Sequence, residues 1–155
     1  KKGILTNEYL QTSNPDIYAA GDITSRYKFT HISKELSKMA VFNALYGNKE
    51  KASSLIVPWC TYTDPEVAHV GLNEQDAKEE GIAIEIVIVE MADIDRAILD
   101  GETEGFVKLI VKAGTDQIVG AAVMAAHAGD LVSEISVAMA SDKGLMALAQ
   151  TIHPF

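Results

Sequence analysis

The stretch Val57-Pro58-Trp59-Cys60-Thr61-Tyr62-Thr63-Asp64-Pro65-Glu66-Val67-Ala68-His69-Val70-Gly71-Leu72-Asn73-Glu74 holds two runs rich in β-branched, aromatic and small residues, separated by Asp64-Pro65. Runs of that composition, bounded by turn chemistry, predict strands over 57–63 and 67–71. Gly71 ends the second strand, and Asn73 is placed to cap a short helix that runs through Glu80 and stops at Gly81. Cys60 sits in the first run and reads as a small buried hydrophobe. Nothing in the stretch itself points to direct chemistry.

Working outward toward the C-terminus, residues 82–91 alternate Ile and Val with Glu85 and Glu90, the period of a strand. Two further strands are expected over 105–112 and 117–126, joined by a hairpin at Ala113-Gly114-Thr115-Asp116. A helix follows over 131–142, with Leu131, Ile135, Ala138 and Met139 on one face, and a second short helix over 145–150. Hairpin-joined strands followed by helices predict an α+β unit, an antiparallel sheet flanked by helices.

Toward the N-terminus the character changes. Residues 30–46 read as a helix with Thr30 as N-cap, Ile32, Leu36, Met39 and Ala40 at helical spacing, and Gly47 as its stop. Before it, Asn14-Pro15-Asp16 is turn chemistry, and Ile17-Tyr18-Ala19-Ala20 reads as a brief buried strand ending at Gly21-Asp22. The polar run 48–54 reads as a linker.

Charge draws the same division. Residues 1–51 hold eight Lys/Arg against five acids, whereas residues 64–104 hold thirteen acids against two bases. Two structural units are therefore expected, 1–51 and 52–155. With a net charge of −9, the acidic surface repels phosphate backbones, so no nucleic-acid partner is expected. No apolar run is long enough to span a bilayer, and no membrane partner is expected. One cysteine among 155 residues rules out an internal disulfide and a thiolate metal cluster. His31, His69 and His127 lack the spacing of a metal site, so no metal is expected.

Three constellations invite chemistry. In Thr12–Asp22 an apolar segment delivers Gly21-Asp22 to the turn before the helix; read alone, the dipeptide also describes a strand, a turn and a solvated aspartate. The helix start at Thr30-His31 presents unpaired N–H groups and a partial positive charge, as any capped helix does. Thr151-Ile152-His153-Pro154 carries a histidine whose proton exchange near neutrality suits control of a thiol, although a lone His-Pro is ordinarily without function.

Taken together these strings resemble the pyridine nucleotide–disulfide oxidoreductases. The strings around Tyr18-Ala19-Ala20-Gly21-Asp22, Tyr62–Glu74, Gly105-Phe106-Val107-Lys108-Leu109, Ile118-Val119-Gly120-Ala121, Ala128-Gly129-Asp130-Leu131 and His153-Pro154 follow that family's motifs in order. Phe29-Thr30-His31 is closer to its mercuric-reductase-like branch. The resemblance implies that 1–51 is the tail of an FAD-binding domain and 52–155 a dimerisation domain. It implies that Asp22 binds the ribityl chain of FAD with Gly21 making room, and that the helix start at Thr30 and His31 faces the flavin ring.

It further implies that His153 is the acid–base residue, serving the cysteines of the other subunit of a homodimer. Electrons would pass from NADH or NADPH through FAD to a cysteine pair, and then to a disulfide or metal ion. A cytoplasmic location is expected. The resemblance puts the glutamate that orients the histidine, the redox cysteines and the nucleotide domains outside these 155 residues, so the chain by itself is expected to be inactive. The alternatives are a stand-alone, non-catalytic dimerisation module and an unrelated acidic α+β binding protein.

Overall fold

The computed structural model describes residues 3–154, and the chain divides into two compact units, one up to Leu55 and one from Ile56 onward. In the first, helix α1 (Thr30–Tyr46) is the central element. Ile32, Leu36, Met39 and Ala40 form its buried stripe, as the spacing predicts, and Leu10 is buried in the same unit. Gly47, in a positive-φ conformation, ends the helix.

Two expectations for this unit are corrected. Residues 17–20 form no buried strand: Gln11 and Tyr18 make a single antiparallel bridge, and Ile17 is 52% exposed. Four residues with no second hydrogen-bonding neighbour gain too little from pairing to make a strand. The turn before them is present, with Ile17 N–H donating to Asn14 O and Asp16 N–H to the Asn14 side chain, both at 3.0 Å. The N-cap of α1 is Phe29, whose extended backbone precedes the helix without a capping side-chain hydrogen bond, and Thr30 is already helical.

The second unit is built on five antiparallel strands in the order β1-β2-β5-β4-β3. They are β1 (Trp59–Thr61), β2 (Glu66–Gly71), β3 (Ile84–Glu90), β4 (Phe106–Lys112) and β5 (Ile118–Ala125). The β2–β5 register pairs Ala68 with Val123 and Val70 with Ala121. The β4–β5 register pairs Val107 with Val123 and Leu109 with Ala121, then shifts at Ile110/Val111. Alternation therefore gathers Ala68, Val70, Ala121 and Val123 on one face. Helix α4 (Ala128–Ala140) covers that face with Ala128, Val132, Ile135 and Ala138.

Small residues in the centre of the sheet let α4 approach closely. The helix starts three residues earlier than predicted, and its buried stripe runs through Ala128 and Val132 rather than the expected Leu131, which is 38% exposed.

The other helices are short. α2 (Glu74–Glu79) carries the expected cap as a complete capping box: Asp76 N–H donates to the Asn73 side chain at 2.8 Å, and Asn73 N–H returns to the Asp76 carboxylate. α5 (Leu145–Gln150) lies where the sequence predicts it. α3 (Asp95–Asp100) was not expected. Its six residues bury only Ala97, so it has almost no apolar periodicity to read. The first strand is shorter than predicted, three residues rather than seven. Among the described residues no helix is long and apolar enough to cross a membrane.

Candidate functional site

In the first unit the chain reaches α1 through a single 3-10 turn, Gly21–Ile23. Gly21 is buried at φ +80°, and a Cβ there would meet the Ser33 hydroxyl at 3.2 Å. Thr24 and Ser25 N–H both donate to the Gly21 carbonyl, at 3.0 and 2.9 Å. The tight turn sets the exposed Asp22 against the first turn of α1, where Ser33 Oγ donates to the Asp22 carboxylate at 3.2 Å. Lys28 Nζ holds the Asp22 carbonyl at 2.7 Å.

Thr30 and His31 are exposed at the start of the same helix, and the His31 ring stacks on Phe29 with centroids 5.6 Å apart. The structure thus brings Gly21, Asp22, Thr30 and His31 to one end of α1. The start of α1 carries the partial positive charge of a helix N-terminus. Asp22 supplies an accessible carboxylate for a hydroxyl. A polyhydroxylated, anionic cofactor such as a flavin nucleotide fits that donor and acceptor set.

In the second unit His153 follows α5, and its Nε2 lies 2.7 Å from Glu134 Oε1 on α4. Both side chains are about half exposed. The Glu134 carboxylate raises the imidazole above its ordinary pKa, first through the hydrogen bond and then through charge. Sequence reasoning missed Glu134. Its nineteen-residue separation from His153 carries no local signal; only the return of α5 across α4 brings them together.

A second missed residue is Glu66. Its carboxylate accepts the Gly129 N–H at 3.0 Å in the first turn of α4, and the Cys60 thiol donates to it at 3.8 Å. Glu66 therefore supplies the anion that the N-terminus of α4 lacks from its own N-cap, His127. The two strings 62–74 and 128–132 meet at this contact. Cys60 is half-buried rather than buried, and burial followed by the Glu66 charge pushes its thiol pKa up. That thiol is a poor nucleophile. Lys108 on β4 pairs with Glu74 at 2.7 Å and holds that carboxyl below its usual range. Among the described residues no group of three His, Cys, Asp or Glu is arranged to hold a metal ion.

Residues 57–155 match the family model for the pyridine nucleotide-disulphide oxidoreductase dimerisation domain, and the chain belongs to that family. It is 38% identical to a mercuric reductase of Staphylococcus aureus over all of this chain and 28% of that protein. It is 36% identical to a dihydrolipoyl dehydrogenase of Mycoplasma pneumoniae over 97% of this chain and 33% of that protein. The chain therefore spans about a third or less of the curated relatives it matches.

Among solved structures, LpdA from Mycobacterium tuberculosis superposes with a TM-score of 0.85 at 26% identity, over 99% of this chain and 33% of that one. The HOCl-induced flavoprotein disulfide reductase RclA from Escherichia coli gives a TM-score of 0.79 at 26% identity, over 99% of this chain and 35% of that one.

Proposed function

We propose that these residues are part of a homodimeric, FAD-dependent disulfide oxidoreductase, and that their own task in it is subunit association. The observation that carries this is the uneven covering of the sheet. α4 covers the face of β1, β2 and β5, while β3 keeps apolar side chains exposed on both faces: Ile86 and Ile88 on one, Val87 and Val89 on the other. Val137 stands outward on α4, 65% exposed. Apolar surface gathered on a rigid sheet and helix suits an isologous contact.

Sedimentation of the chain across a concentration series tests this. A two-fold dimer is expected, and Ile88→Lys or Val137→Glu is expected to weaken it at least tenfold. A strict monomer at high concentration, or a dimer indifferent to both changes, would count against the reading.

In the whole protein, bound FAD would relay electrons from NADH or NADPH to a cysteine pair. The residues of this chain would have four tasks. Asp22 would accept a hydrogen bond from the ribityl chain, Gly21 would leave room for it, and the α1 amides at Thr30 and His31 would stabilise negative charge on the ring. His153 would take and return a thiol proton. Asp22→Ala is expected to lower FAD retention in the whole protein. His153→Gln is expected to lower turnover by about 10²–10⁴-fold, and unchanged turnover would move the acid–base role elsewhere. The chain by itself has one cysteine, so no redox pair forms within it and NADPH oxidation by it is expected to be nil. The acceptor, a disulfide or a metal ion as in the mercuric reductases, would be read by residues beyond these.

A further inference from the structure

Asp22 sits on a turn whose backbone is held independently of its side chain. Ile4 N–H donates to the Ile23 carbonyl at 2.8 Å, and Thr24 and Ser25 N–H close the turn on Gly21. Lys28 Nζ reaches the Asp22 carbonyl at 2.7 Å, and the Thr6 and Thr24 hydroxyls meet at 3.0 Å. None of these bonds involves the Asp22 carboxylate. That group is met by Ser33, whose hydroxyl donates to Oδ1 at 3.2 Å.

Ser33 is itself firmly seated. It is half-buried in the first turn of α1. Its N–H donates to Phe29 O at 3.0 Å, and its carbonyl accepts the Ser37 hydroxyl at 2.7 Å. A Cβ at Gly21 would lie 3.2 Å from Ser33 Oγ and 3.4 Å from Ser33 Cβ. The bare Cα of Gly21 thus gives the Ser33 side chain its place, besides any room it leaves for a ligand.

We propose that Ser33 is a positioning residue for Asp22: its hydroxyl holds one carboxylate oxygen so that the group is already aimed when a cofactor hydroxyl arrives, a role that rests on the reading of Asp22 as the acceptor for the ribityl chain of FAD. A carboxylate has about four acceptor sites, so one bond from Ser33 leaves the others for a polyol. A side chain ordered before binding loses less freedom when the ligand docks. A hydroxyl suits the task because it adds no charge and leaves the carboxylate a full-strength acceptor. Because the turn is pinned by other bonds, losing the Ser33 hydroxyl frees the carboxylate without moving the backbone beneath it.

The test has two parts. The whole protein, stripped of flavin, is titrated with FAD, and the χ1 couplings of Asp22 are measured by NMR in the 155-residue chain without FAD. Ser33→Ala should weaken FAD binding about 2–10-fold, and Ser33→Thr, which keeps a hydroxyl, should recover part of the loss. In an Asp22→Ala background Ser33→Ala should add nothing, because the hydroxyl acts through the carboxylate. In the chain alone Asp22 should hold one χ1 rotamer, and Ser33→Ala should give averaged couplings while the amide signals of residues 21–24 stay in place.

Couplings that are the same in wild type and Ser33→Ala overturn the proposal. So does an equal loss of FAD affinity from Ser33→Ala with and without Asp22, which would mean that Ser33 contacts the cofactor itself. FAD affinity that falls in Asp22→Ala but not in Ser33→Ala also overturns it, and leaves the reading of Asp22 standing. FAD affinity indifferent to Asp22→Ala sinks that reading instead, while averaged couplings in Ser33→Ala would still uphold the positioning of the carboxylate.

Discussion

Two residues do more for the fold than the sequence advertises. Asn43 is fully buried on α1, a polar side chain in the stripe that otherwise reads Ile32, Leu36, Met39, Ala40. Its amide donates to Tyr9 O at 3.0 Å and Glu50 O at 2.8 Å, and its carbonyl accepts Lys49 N–H and Glu50 N–H at 3.0 and 2.9 Å. One side chain thus satisfies four backbone groups from the segments before and after the helix. Removing it leaves four part-buried backbone groups without their protein partner, at up to about 1–3 kcal/mol for each that water does not reach. Asn43→Ala is therefore expected to destabilise the first unit by about 3 kcal/mol or more, and Asn43→Asp comparably, since it loses both donors and buries a charge. Chemical denaturation of the first unit checks this, and a loss under about 1 kcal/mol would remove the claim.

Glu66 is the second. Glu66→Gln keeps an acceptor for Gly129 but loses the charge at the helix start, worth about 0.3–1 kcal/mol. It also removes one of the influences that hold the Cys60 thiol up. Thiol modification of Cys60 should therefore speed up at fixed pH, with its rate profile moving to lower pH. Desolvation stays in place, so the pKa is not expected to reach that of an exposed thiol.

At the scale of elements, legibility followed how a segment is buried. α1 and β2 were readable because each has one covered face and a strong periodicity. Asn73 was readable because a capping box is local chemistry. α3 was not, since it buries one alanine and is framed by acids. Residues 17–20 were overread as a strand because composition alone does not reveal whether a pairing partner exists. The site was legible only where it lies along the chain: Gly21, Asp22, Thr30 and His31 fall within eleven residues and the structure brings them together, whereas Glu134–His153 and Glu66–Gly129 depend on tertiary returns.

The end of β2 yields a sharper test. Gly71 sits at φ +74°, and a Cβ there would lie 2.4 Å from the Val119 carbonyl and 2.9 Å from Gly120 Cα. Both are backbone atoms of β5 and cannot step aside. Strain of about 1–2 kcal/mol for the conformation and about 1–3 kcal/mol for the overlap are expected to add. Gly71→Ala should lower the melting temperature of the second unit by roughly 10 °C or more for a domain of this size.

The Lys108–Glu74 pair is milder. Glu74 is largely exposed, so solvent screening limits the pair to about 0.2–1 kcal/mol. Its lowered carboxyl pKa means that the contribution is present above the unfolded value and is lost as pH falls through the folded one. Lys108→Ala should lower stability at neutral pH by about that 0.2–1 kcal/mol, leave the acid end nearly unchanged, and so flatten the acid limb of the stability curve.

At the scale of the whole molecule, the strand order β1-β2-β5-β4-β3 has a consequence for how the chain is made. β2 ends at Gly71, and the strand it pairs with, β5, ends at Ala125, 54 residues later. At ~5–20 residues per second, a ribosome needs about 3–11 s to supply that partner. Throughout that interval Ala68 and Val70, fully buried in the finished sheet, belong to a nascent hairpin with one edge open, while β3 and β4 are free to pair with each other first. The sheet is therefore closed from its middle by the last strand synthesised, and α4, made immediately afterwards, seals the face that strand completes. A chain stopped between Lys112 and Ile118 would hold two separate hairpins, β1–β2 and β3–β4, with no strand to join them.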